Sequence, residues 1–174
     1  MLSVQRITVA VFSILLLSTG CQDIEARSDT WKQKQIITMY RKYAKDFPEV
    51  KGITVAQLQQ LQRQGKQVVL VDVRSPEERE VSFIPGAISI VEFERNLKQY
   101  QNSTVVAYCT IGHRSGKYAQ KLQQQGIKML NLEGSLLAWS HAKGELINSK
   151  GMTNKVHVFA PQWRFAAEDY EPVW

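Results

Sequence analysis

Cys109-Thr110-Ile111-Gly112-His113-Arg114 places a cysteine, a glycine, a histidine and an arginine within six consecutive positions. The nucleophilic form of cysteine is the thiolate, and a free thiol with a pKa of ~8.5 supplies little of it at neutral pH. A neighbouring arginine and a ring of backbone N–H groups both favour the anion. Gly112 lets the backbone curl tightly enough to turn successive N–H groups inward. The set is suited to a cysteine that attacks, carries a group, and releases it.

The flanking residues say how such a loop would be held. Thr104-Val105-Val106-Ala107-Tyr108 is β-branched and apolar, which predicts a buried strand. Tyr118, Ala119 and Leu122 recur at helical spacing over 115–125, and Gly126 stands where a helix would end. Strand, short loop and helix gather N–H groups at the positive end of the helix dipole, with Cys109 beside them.

Upstream, Val68-Val69-Leu70-Val71 is an unbroken apolar run, expected of a strand covered on both faces. Asp72-Val73-Arg74 follows it. Thr54 and Gln57 predict a capping box opening a helix that Gly65 closes, and Ser75-Pro76-Glu77-Glu78 predicts a second such start. A short strand over 88–91, a helix over 93–100, a strand over 127–132 and a helix carrying Leu136, Leu137 and Trp139 complete the alternation. The expected fold is α/β, a mostly parallel central sheet with helices on both faces. Ligands in such sheets bind at the carboxyl ends of the strands, where Cys109 is expected.

The ends are of different character. Arg6 followed by an uncharged, apolar stretch and Ser18-Thr19-Gly20-Cys21 predicts a signal peptide over 1–20. The uncharged stretch 7–22 is sixteen residues, short of the ~20 that span a bilayer. Residues 21–30 read as a polar tether. Over 31–48, Trp31, Ile36, Ile37, Tyr40, Tyr43, Ala44 and Phe47 mark an amphipathic helix expected to pack on the domain, capped by Asp29 or Thr30. The segment 148–174 carries Trp163, Phe165, Tyr170 and Trp174, expected as a satellite cluster over the core and a possible protein-partner face, with an edge strand at Val156-His157-Val158-Phe159.

The chain has 174 residues and a formal charge of +6, which falls to +5 if Arg6 leaves with the leader. The cations are spread without a run of five or six, so they read as a solvated surface with mild attraction for anions, and no nucleic-acid partner is expected. The only cysteines are Cys21 and Cys109, and no ligand spacing links His113, His141 or His157 to either, so neither metal nor other cofactor is expected.

Four stretches in order, 72–78, Ile84-Pro85-Gly86-Ala87, 108–115 and 132–139, resemble the rhodanese, or thiosulfate sulfurtransferase, superfamily over 51–147. The resemblance implies that Cys109 accepts a sulfane sulfur from a small-molecule donor as a persulfide and passes it to a thiol acceptor. Thr110, Ile111, Gly112, His113 and Arg114 would cradle that sulfur, with Arg114 holding an anionic donor such as thiosulfate. Asp72 and Arg74 match the family's aspartate–arginine pair and would brace the loop. One departure is Ser82-Phe83, where the family often carries Gly-His before the Ile-Pro-Gly-Ala stretch. Leu17-Ser18-Thr19-Gly20-Cys21 resembles a bacterial lipobox, which implies lipid on Cys21 and a membrane-anchored protein facing the periplasm.

Two rival readings share the loop. Cysteine phosphatases place five residues between Cys and Arg; here there are four, which suits one sulfur atom better than a tetrahedral phosphate. A non-catalytic binding or redox-sensing module would use Cys109 without turnover.

Overall fold

Residues 28–174 are described by the computed structural model. The leader and Cys21 lie outside the described residues. Helix α1 (Asp29–Ala44) opens on Ser28, whose hydroxyl accepts from the Trp31 N–H. The cap is therefore Ser28, not Asp29 or Thr30, and the helix absorbs the end of the expected tether. Asp29 is the first helical residue, paired with Lys32 one turn on at 3.1 Å. Ile36 and Tyr40 are the buried residues of α1.

Five strands form one sheet: β1 (Gly52–Ile53), β2 (Val68–Asp72), β3 (Ile88–Ser89), β4 (Thr104–Tyr108) and β5 (Leu130–Leu132). Their order is β1-β5-β4-β2-β3, with every pairing parallel. Between them run α2 (Val55–Arg63), α3 (Pro76–Val81), α4 (Ile90–Arg95) and α5 (His113–Gln123), and α6 (Ser135–His141) follows β5. The capping boxes at Thr54 and Ser75 both form.

Period-two alternation along β4 divides the core. Val106 and Tyr108 join Leu58, Leu132, Leu136 and Leu137 on one face of the sheet. Val105 and Ala107 join Phe47, Phe93, Ala119 and Leu122 on the other. Both faces of the central strand are thus dry, as its apolar sequence requires.

Several boundaries differ from expectation: the strand expected over 127–132 covers only Leu130–Leu132, and the helix expected over 31–48 ends at Ala44. The third strand stops at Ser89, because the Ser89 hydroxyl accepts from Glu92 N–H and starts α4 at once. The helix expected over 93–100 is α4 plus a 3₁₀ turn, Leu97–Tyr100, separated at Asn96. Helix α5 begins at His113, two residues early, because Gly112 caps it in a left-handed conformation with φ 104°.

The C-terminal segment continues through a short antiparallel ribbon, β6 (Ile147–Asn148) and β7 (Gly151–Met152). Then β8 (Lys155–His157) pairs in parallel with β9 (Glu171–Val173). The expected edge strand is therefore a separate two-stranded sheet. Val156, Val158 and Ala166 are buried with the core, and Trp163, Phe165 and Tyr170 pack against it. Phe159 and Trp174 stay exposed. Among the described residues no helix is long and apolar enough to cross a membrane.

Candidate active site

Strand order reverses between β2 and β4, and the carboxyl ends of these two strands meet there. Asp72 and Tyr108, the last residues of each, are register partners. Such a reversal opens a crevice in an α/β sheet. Cys109 follows immediately.

The floor of the crevice is a buried polar brace. Arg74 donates from Nε to Asp72 Oδ1 at 2.9 Å and from Nη2 to Asp72 Oδ2 at 2.7 Å. Its Nη2 also reaches the Ser82 carbonyl at 2.6 Å. The Tyr108 hydroxyl donates to Asp72 Oδ2 at 2.8 Å and accepts from Ile84 N–H at 3.1 Å. The Asp72 and Arg74 side chains have no exposed surface. The brace joins β2, the 82–84 turn and the residue just before Cys109. Tyr108 is a member that its reading as a plain strand residue missed. The departure at Ser82-Phe83 has its own use: Phe83 pairs with Ile147 through the backbone, and Arg79 lies 5.0 Å above its ring.

The loop itself is held from several sides. Cys109 N–H donates to Ser135 Oγ at 3.1 Å, and the Cys109 and Thr110 carbonyls accept from Leu136 and Leu137 N–H. Gly112 N–H points at Cys109 Sγ, 3.1 Å away. A Cβ on Gly112 would stand 2.7 Å from the Tyr40 ring and 3.3 Å from the Leu132 carbonyl, so space as well as the positive φ demands glycine there. Asn131 Nδ2 donates to the Gly112 carbonyl at 2.8 Å, and its Oδ1 accepts from Ser115 Oγ at 2.6 Å.

Ser115 Oγ also lies 3.6 Å from Cys109 Sγ. Its single proton therefore has two acceptors within reach, the Asn131 amide oxygen and the sulfur. Burial opposes ionisation of Cys109, but the Ser115 hydroxyl and N–H, the Arg114 charge and the Gly112 N–H together hold the thiol below its ordinary value. Cys109 itself is 1% exposed. Ser115 and Asn131 carry no sequence signal beyond polarity at buried positions, and only the packing brings them to the sulfur.

Arg114 is not idle in the structure. Its Nη1 and Nη2 donate to the two Glu78 oxygens at 2.6 and 2.7 Å, and Nη2 reaches Thr110 Oγ1 at 3.3 Å. Glu78 Oε2 accepts from Ser75 N–H as well, so the residue that completes a capping box also pairs the loop arginine. Burial works against the Glu78 carboxylate, but Arg114 and the Ser75 N–H outweigh it and bring its pKa to about 2.

The side chain of His113 turns the other way. Its ring stacks on Tyr43 at 4.6 Å and its Nε2 lies 3.2 Å from Asp46 Oδ2, both from α1 and its exit. The His113 ring is thus held by α1 and its exit and not by the sulfur. Ile111 is buried within the core cluster that includes Val156 and Val158. Among the described residues no group of three or more His, Cys, Asp or Glu is placed to hold a metal ion.

A Rhodanese-like domain family model matches residues 54–142. A sulfurtransferase of Allochromatium vinosum is 35% identical over 77 residues, covering 42% of this chain and 72% of its own length. A candidate sulfurtransferase of Bacillus subtilis, YtwF, is 32% identical over 94 residues, covering 52% of this chain and 91% of its own. Among solved structures, a thiosulfate sulfurtransferase from Pseudomonas aeruginosa superposes with a TM-score of 0.55 at 21% identity. That alignment covers 65% of this chain and 23% of the other, and it shows a common fold. The crevice at the strand switch, the cysteine loop above it and these matches agree: the chain belongs to the rhodanese-like sulfurtransferase family.

Proposed function

We propose that the protein transfers sulfane sulfur through Cys109, taking it from an anionic donor of the thiosulfate class. The observation that carries this is the setting of Cys109 Sγ, with the Gly112 N–H at 3.1 Å, the Ser115 hydroxyl at 3.6 Å and the Arg114 charge on the same loop. The Cys109 thiolate attacks the outer sulfur of thiosulfate. A Cys109 S–S bond forms, the donor's S–S bond breaks, and sulfite leaves with the electron pair. An acceptor thiolate then attacks the terminal sulfur of the persulfide and releases Cys109 as its thiolate. The loop N–H groups hold the negative terminal sulfur between the two steps. The Asp72–Arg74–Tyr108 brace keeps the loop from shifting as charge moves across it.

The test is turnover. The purified full chain should release sulfite from thiosulfate when a thiol or cyanide is present, and should leave an aryl phosphate uncut. Thiosulfate alone should add one sulfur atom to Cys109, removable by reductant and absent from Cys109→Ser. Preference for the phosphate ester would replace this reading with a phosphatase. A Cys109 that never gains sulfur from any sulfane donor would leave a binding or sensing module.

We further propose that Cys21 carries lipid and holds the protein on the cell envelope. The support is the apolar leader that ends in Ser18-Thr19-Gly20-Cys21.

A further inference from the structure

Glu78 is the point of tension in the site. Its side chain is only 8% exposed, and both oxygens are taken by the Arg114 guanidinium. A dianionic donor that reaches for Arg114 must compete with a carboxylate already in place. If Arg114 turns to the donor, Glu78 is left as a buried charge short of a partner, an expensive arrangement.

The C-terminal segment supplies a replacement. His157, on β8, holds its Nδ1 3.6 Å from Glu78 Oε1, on the side of the carboxylate away from Ser75. That nitrogen is buried and makes no hydrogen bond. Buried polar atoms left unpaired are uncommon and ask for a role. A shift of a few tenths of an ångström would bring Nδ1 within hydrogen-bond reach of the carboxylate.

We infer that His157 is a positioning residue for the anionic donor: it takes over the Glu78 carboxylate as Arg114 turns to the donor. This rests on the sulfur-transfer reading of Cys109 and adds a residue outside the family match over 54–142.

The charges around the imidazole give the sign of the effect. Burial disfavours its protonated form; Glu78 from α3 favours it, and Arg74 after β2 and Arg114 from α5 oppose it. On its own segment the flanking charges, Lys155 and Glu171, face each other at 3.9 Å. When the donor neutralises Arg114, one of the two charges that oppose Glu78 is cancelled, protonation of the imidazole becomes easier, and His157 gains a proton from solvent. Binding that takes up a proton is tighter at low pH. The KM for thiosulfate should therefore be lowest near pH 5.5 and rise toward about pH 8, by roughly tenfold for each unit that donor binding raises the imidazole pKa.

The experiment is a pH series of thiosulfate turnover by the full chain, with KM and kcat read separately. His157→Asn should raise KM, flatten its pH profile, and act on KM more than on kcat. His157→Lys, which keeps a positive charge, should restore a low KM that barely changes over the range. A slope in the wild type that His157→Asn leaves intact overturns the inference while sulfur transfer stands. The second measurement is independent of turnover: the histidine ring protons of Cys109→Ser, titrated by NMR with and without thiosulfate. The His157 signal, assigned by its loss in Cys109→Ser with His157→Asn, should titrate at higher pH when thiosulfate is present. An unmoved midpoint overturns the inference whether or not the wild type turns over.

Discussion

Tyr108 donates its hydroxyl to Asp72 across the β2–β4 register, at 2.8 Å, one residue before the cysteine. The same oxygen accepts the Ile84 N–H. The loop thus starts from a strand end pinned to its neighbour and to the Ile-Pro-Gly-Ala turn. Tyr108→Phe keeps the ring but strands the Ile84 N–H and removes one partner of Asp72. Urea unfolding should show a loss of about 1–3 kcal/mol, the usual cost of an unsatisfied buried group. Asp72→Ala should cost more, on the order of 3–5 kcal/mol, because it leaves the buried Arg74 charge uncompensated.

Alkylation reports the thiol directly. Reaction of Cys109 with iodoacetamide should plateau above a midpoint that lies below the ~8.5 of a free cysteine. Ser115→Ala removes the hydroxyl between Sγ and Asn131, so the midpoint should move up, with the plateau preserved. A midpoint unchanged by the substitution would assign the lowering to the Gly112 and Ser115 N–H groups and to Arg114.

Glu78 predicts an acid limb of stability. Its folded pKa of about 2 lies below the ordinary carboxylate value of 4.5. Such a group stabilises the fold above its unfolded pKa, and that contribution disappears as pH falls through the folded value. Because Arg114 is 39% exposed, screening should reduce the effect to on the order of 1–2 kcal/mol. Wild type and Glu78→Gln should converge in stability as pH drops from about 4.5 toward 2, a convergence that denaturant midpoints would show.

Anchoring is tested at the other end of the chain. Cys21→Ala should abolish lipid incorporation and leave a protein that salt or alkali strips from membranes. A variant equally firmly bound, at unchanged size, would sink the lipid proposal.

The parallel sheet and the cysteine loop were legible because their signals are local. Apolar runs of four or five residues, capping boxes at Thr54 and Ser75, and Gly112 before a helix each follow from backbone chemistry. What the sequence hid was long-range. Glu78 has a complete local explanation as the third residue of a capping box, and nothing nearby suggests that it also holds Arg114, thirty-six positions on. Ser115 and Asn131 are polar residues in ordinary elements, and their meeting at the sulfur depends on how α5 lies over β5. His157 read as a scattered histidine in an edge strand because the segment's return to α3 is a matter of tertiary packing. His113 shows the opposite case: its place in the motif suggested the sulfur, whereas Tyr43 and Asp46 draw its ring away.

The two terminal elements also meet each other. Asp29 accepts the Glu168 N–H, Trp31 packs on Phe165 at 5.8 Å, and the His141 ring on α6 lies 2.8 Å from the Phe165 carbonyl. Between them they bring Tyr40 onto Gly112 and His157 onto Glu78. The smallest piece able to work as this protein does is therefore larger than the stretch by which its kinship is detected. A fragment trimmed to 54–142 would keep every atom that touches sulfur and still lose the clasp that shapes their surroundings. Its behaviour would describe the family's common core and not this protein.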